Sequence, residues 1–170
     1  MSENKIMKLM DMINYGWVDK NGKKHIDNFE KLSINYILQS PNDLIKSQVG
    51  LCWDQVELER YYFKNNVKTF FIVYYDNDKC PTHTFLIFEK DNLYCWFEHS
   101  WKKFRGINTY PSLKELLSDV KNKFVYYELN DEYNEDNLVI YEYEKPKYNI
   151  SVQEFYNHCE NGKKIDLDKL

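Results

Sequence analysis

The chain has 170 residues, 43% hydrophobic and 29% charged, which is the size and make-up of one globular domain able to bury a core. A net charge of -4, with no basic stretch that tracks phosphates, argues against nucleic-acid binding. No apolar run reaches the length of a membrane span.

Ile6, Leu9, Met10 and Ile13 recur at helical spacing and predict an amphipathic helix over 3–14, stopped by Gly16. Glu3 and Asp11 interrupt the apolar pattern, so a signal peptide is not expected and the cytosol is the expected compartment. Cys52, Cys80, Cys95 and Cys159 are then expected as reduced thiols. After a turn at 20–23, a second helix is predicted over 27–38, with Asp27 as its cap. Ser40-Pro41-Asn42-Asp43 is a helix start, with a capping Ser, Pro in the first position and an acid three residues beyond the cap. Gly50 breaks that helix, and a new one is predicted over 51–64.

The period then changes. Segments 67–75, 82–88 and 93–97 are rich in β-branched and aromatic residues, with turns at 76–78 and 90–92. Pro111 opens a helix carrying Leu113, Leu116, Leu117 and Val120 on one face. Segments 124–129 and 138–143 read as two further strands. Ser151 and Glu154 form a capping box for a last helix that ends at Gly162. The plan is α+β in a single domain over 1–170, helices first and then an antiparallel sheet.

Three short segments carry the chemistry. Gly50-Leu51-Cys52-Trp53-Asp54 lies at the junction of a turn and a helix, Pro81-Thr82-His83-Thr84-Phe85 opens a strand, and Trp96-Phe97-Glu98-His99-Ser100-Trp101 closes the next. A Cys at a helix N-terminus meets unpaired backbone N–H groups and the positive end of the helix dipole, which favour a thiolate. The same N–H groups suit an oxyanion. A strand His takes and returns the thiol proton, and a carboxylate behind it fixes the tautomer. Asp54 and Glu57, in the first turns of the helix, work against a thiolate unless they point away. Gln48, four residues before Cys52, is a candidate oxyanion donor, and Trp53 and Trp101 read as core or cleft wall.

Cys80-x-x-His83 and Cys95-x-x-x-His99 have zinc-like spacing. Alternate strand residues point to opposite faces, so if His83 and Glu98 share a face, Cys95 and His99 face away and four ligands do not converge. No metal is expected.

The order and placement of these residues resemble the transglutaminase-like core, over roughly residues 40–105. Gly50-Leu51-Cys52 matches that family's Gly-x-Cys, His83 its strand histidine, and Glu98 with Trp101 its Asp-x-x-Trp, with Glu in place of Asp. The resemblance implies a papain-like α+β fold, with the nucleophile helix packed on an antiparallel sheet. It also implies a catalytic set of Cys52, His83 and Glu98, and acyl chemistry through a thioester without a cofactor. The expected activity is cysteine-dependent hydrolysis, as a peptidase or amidase, or acyl transfer, on a peptide, protein or small amide or ester. A catalytically inactive binding domain of the same fold is the alternative.

The hairpin register tests the pairing of His83 with Glu98. A two-residue loop at Lys90-Asp91 is the expected one, and sets Ile87 against Tyr94, Phe85 against Trp96 and His83 opposite Glu98. A loop at Asp91-Asn92 leaves His83 and Glu98 as diagonal neighbours on one face. A three-residue loop brings His99 opposite His83 instead.

Overall fold

The computed structural model describes residues 2–170. In chain order the elements are α1 (Glu3–Met10), β1 (Asn14–Tyr15), β2 (Trp17–Val18), β3 (Lys24–His25), α2 (Leu32–Asn35), α3 (Pro41–Ser47), β4 (Val49–Gly50) and α4 (Cys52–Phe63). Then follow β5 (Val67–Tyr74), β6 (Thr82–Lys90), β7 (Leu93–Glu98), β8 (Gly106–Tyr110), α5 (Leu113–Glu128), β9 (Leu138–Tyr143), α6 (Val152–Glu160) and β10 (Lys163–Lys164). Six strands form one antiparallel sheet in the order β10-β9-β5-β6-β7-β8. The expected α+β architecture is present, and α4 packs against β6.

Alternation along β5 explains the layering. Phe70 and Ile72 face a cluster with Phe85, Ile87 and Trp96 under Leu116, Leu117, Val120 and Phe124 of α5. Phe71 and Val73 face the other way, into a cluster with Trp53 and Val56 of α4 and Phe155 and Cys159 of α6. A strand covered on both faces reads as an unbroken apolar run, which is what 70–73 shows. Each of these side chains contributes about 1.5–3 kcal/mol by leaving water.

Three predicted elements change. The segment 124–129 is not a strand: Phe124 continues the helical period of Leu116, Leu117 and Val120, and α5 runs on to Glu128. Packing against the sheet overrides the strand preference of its Phe, Val and Tyr residues. The helix predicted over 27–38 shrinks to the four residues of α2. Asn28 folds its side chain onto the Glu30 N–H as a turn and accepts the Trp17 indole N–H on its carbonyl, and Tyr36 leaves α2 extended to bridge Asp19. The first helix ends at Met10 rather than running to 14, because Asn14 and Tyr15 pair in parallel with Val49 and Gly50.

The hairpin loop is also corrected. Lys90 pairs with Leu93 and Ile87 with Trp96, so the loop is Asp91-Asn92 and not Lys90-Asp91. Both loop residues adopt left-handed backbone, with φ of 53° and 62°. Asp and Asn tolerate that conformation far better than Lys, which sets the register.

Gly50 sits where three elements meet. A Cβ added there would lie 2.6 Å from Leu44 Cδ1 and 2.9 Å from Asp54 Cβ. Gly50→Ala is therefore expected to lower unfolding stability by about 1–3 kcal/mol, read as a lower urea midpoint at unchanged slope.

Candidate active site

The β6–β7 ladder ends at Leu86 and Phe97. Beyond it the strands part: residues 82–85 of β6 keep only β5 as a partner, and Glu98 pairs with Gly106 of β8. His83 and Glu98 stand on either side of this opening as diagonal neighbours. His83 Nε2 and Glu98 Oε2 are 2.7 Å apart, and both residues are buried. The other carboxylate oxygen of Glu98 accepts from the Trp101 N–H at 2.7 Å and the Ser100 hydroxyl at 3.1 Å. Both oxygens are thus engaged and the carboxylate is fixed in orientation. The Trp101 indole leans on the His83 ring, with centroids 4.9 Å apart.

Cys52 is the first residue of α4, and its thiol is close enough to the His83 side chain to raise the imidazole. Because Nε2 is taken by Glu98, the ring nitrogen left for the thiol is Nδ1. The residue before it, Leu51, has no side chain to cap the helix, so the first-turn N–H groups have no side-chain acceptor from the cap position. Burial pulls the His83 imidazole down, but the Glu98 carboxylate and the Cys52 thiol outweigh it and raise it to about 10. The ring therefore keeps its proton through the neutral range.

The two acids that would oppose a thiolate are both engaged elsewhere. Asp54 turns back and accepts from the Leu51 N–H at 2.9 Å, the Gln39 N–H at 2.9 Å and the Tyr36 hydroxyl at 3.0 Å. Burial still pushes its carboxyl up, to about 7, against these three donors. Glu57 pairs with Arg60 at 3.1 Å, and burial raises it to about 7 although Arg60 pulls it down.

The remaining sequence candidates divide. Trp53 is buried, stacks on Phe155 with centroids 4.5 Å apart and forms part of the cleft wall. Gln48 is exposed, ends α3 in left-handed backbone, gives its carbonyl to the Asn14 N–H and does not line the cleft. His99 is bonded to Gln55 Oε1 at 2.7 Å and to Asp11 Oδ1 at 3.2 Å, so the partner of His83 is Glu98. Among the described residues no group of three or more His, Cys, Asp or Glu side chains converges as a metal site. Cys95 and Cys159 are buried and burial raises both thiols, whereas Cys80 is exposed.

Cys52 is only 4% exposed, yet it lines a cleft of about 600 Å³ together with Tyr15, Phe29, Pro81, Glu128 and Tyr156. Apart from Pro81, which opens the His83 segment, none of these is marked by the sequence pattern. Tyr15 arrives through the parallel pairing of β1 with β4, where it stands beside Gly50, and Glu128 arrives at the end of α5. Such placements arise from tertiary packing and leave no local signature. No family model matches the chain, and the curated proteins compared with it give no match either.

The raised His83 sets a pH dependence. Its ordinary value is 6.5 and its folded value about 10, so its stabilising contribution is full below 6.5 and is lost as pH rises through 10. Compared with a His83→Gln variant, the wild-type protein is expected to lose unfolding free energy between those limits, measured by urea denaturation at several pH values.

Proposed function

We propose that this chain is a transglutaminase-like cysteine hydrolase or acyl transferase, acting on an amide or ester with Cys52 as nucleophile. One observation carries the reading: a Cys on the first turn of a helix acts on a buried His, itself 2.7 Å from a fully satisfied carboxylate, beside a cleft. The individual residues are common; their joint placement is what activates a thiol.

With the shared proton on His83, the Cys52 sulfur attacks the carbonyl carbon and the carbonyl oxygen becomes an oxyanion. The uncapped N–H groups at the start of α4 stabilise it. His83 gives its proton to the departing amine or alcohol as the carbon–heteroatom bond breaks, leaving a thioester. Water or an amine, deprotonated by His83, then attacks the thioester and releases Cys52. Glu98 stabilises the imidazolium and holds the ring with Nδ1 toward the sulfur. Water as the second nucleophile gives a peptidase or amidase, which is the favoured form. The residues account for each proton, so the scheme calls for no cofactor. No helix is long and apolar enough to cross a membrane, and a reducing compartment such as the cytosol suits a free nucleophilic thiol.

Alkylation separates an enzyme from a binding domain of the same fold. At about pH 6 under native conditions, iodoacetamide is expected to modify Cys52 about tenfold faster than exposed Cys80. A comparable or faster reaction at Cys80, followed by peptide mapping, would favour the binding domain. Cys52→Ala is expected to fold normally and abolish turnover. Glu98→Gln is expected to lower kcat by about 10²–10⁴, through loss of imidazolium stabilisation, against a much smaller effect for His99→Gln.

A further inference from the structure

The cleft beside Cys52 has a distinct chemical character. At its mouth stand two half-exposed aromatics, Tyr15 and Phe29, with ring centroids 6.3 Å apart. Leu32, Trp53 and Tyr156 extend the apolar wall inward. Exposed aromatic surface costs free energy in the unliganded protein, and at a cleft mouth it supplies contact area for an apolar group.

One charged side chain lines this wall. It is Glu128, which is exposed and makes no ion pair among the described residues, and no Lys or Arg lines the cleft. Its position is unfavourable for the helix that carries it. Glu128 is the last residue of α5, where the helix dipole is negative, and no basic residue occupies that last turn. A carboxylate there works against its own helix and gains nothing from a partner. Local rules of this kind are broken at sites that serve something other than stability.

The field in the cleft has the same sign. The Tyr15 phenol is pushed above its ordinary value, by burial first and then by the acidic groups around it, Glu128 among them. An anionic ligand at the cleft mouth would meet Glu128 with no Lys or Arg on the wall to receive it, whereas a cationic one would be drawn in.

We infer that the cleft selects amide substrates that combine an aromatic or large aliphatic side chain, seated against Tyr15, Phe29 and Trp53, with a basic group that pairs with Glu128. Glu128 is the specificity-determining residue of the site. This rests on the assignment of Cys52 as nucleophile, and it adds a substrate class that the catalytic set alone does not define.

The test uses the full chain and three N-capped dipeptidyl acyloxymethyl ketones, in which Cys52 displaces the carboxylate leaving group to form a thioether. Each probe holds one Phe, and the second residue is Lys, norleucine or Glu. Both residue orders are made, so that the result does not depend on which side of Phe bears the charge. Cys52 adduct formation is followed by peptide mass mapping. The Lys probe is expected to react fastest and the Glu probe slowest, about tenfold apart at low ionic strength, with the gap narrowing in about 0.5 M salt. Glu128→Gln should level the three rates, and Glu128→Lys should reverse their order. Both variants should melt at or above the wild-type temperature, because each relieves the end of α5. Equal wild-type rates, or an order unchanged by Glu128→Lys, with Cys52 still labelled, would overturn the specificity and leave the nucleophile standing. Failure of every probe to label Cys52 would overturn both.

Discussion

Asp54 has no cation against it and is fully buried, so its carboxylate oxygens must be met by donors or lose far more than a hydrogen bond is worth. The donors come from separate parts of the chain: the Tyr36 hydroxyl after α2, the Gln39 N–H before α3, and the Leu51 N–H at the start of α4. One carboxylate therefore ties three connections to the end of the helix that carries Cys52. Gly50 lets the chain pass close enough for this to happen. The Gln39 side chain extends the tie to Val49 and Ser47. Cys52 is held by a polar network on one side and by the packing of Trp53 against Phe155 and Tyr36 on the other.

Beneath this point α4 carries an unusual load of buried acid. Glu59 is buried with one oxygen unbonded, and burial, followed by the negative field of Glu98, raises its carboxyl well above the ordinary range although His83 opposes. Burial thus disfavours the charged form of Glu59 beside His83 and Glu98. Glu57 lies at the boundary, raised by burial and restrained by Arg60. Glu98 is the carboxylate that hydrogen-bonds to His83.

The placement of Cys52, His83 and Glu98 was legible in the sequence because each sits at a local boundary that short motifs describe: a Gly before a helix start, the opening of a strand, and a strand end followed by Trp. The α+β order was legible from the change of apolar period after residue 66. What was not legible arises from distance. The true register depends on Asp91 and Asn92 accepting positive φ, which a choice between adjacent two-residue loops overlooks. The helical fate of residues 124–128 depends on the sheet beneath them, since their own propensities favour a strand. The cleft walls come from β1, α2, α5 and α6 with their flanking turns, and nothing in any one of those stretches announces the others. Sequence reading thus anticipated the meeting of His83 and Glu98 and missed the surface that lines the cleft beside Cys52.

The edges of the sheet bear on how the protein behaves in crowded solution. A free strand edge is a template on which another chain can extend the ladder. Here β9, long and apolar, is shielded on its outer side by β10, only two residues long and composed of Lys163 and Lys164, both exposed. Gly162 lets the chain turn against the Glu142 carbonyl, a contact that any side chain at that position would obstruct. Two lysines side by side repel a second copy approaching along the same edge. A segment that contributes little to the core thereby makes this edge a poorer template for a second strand.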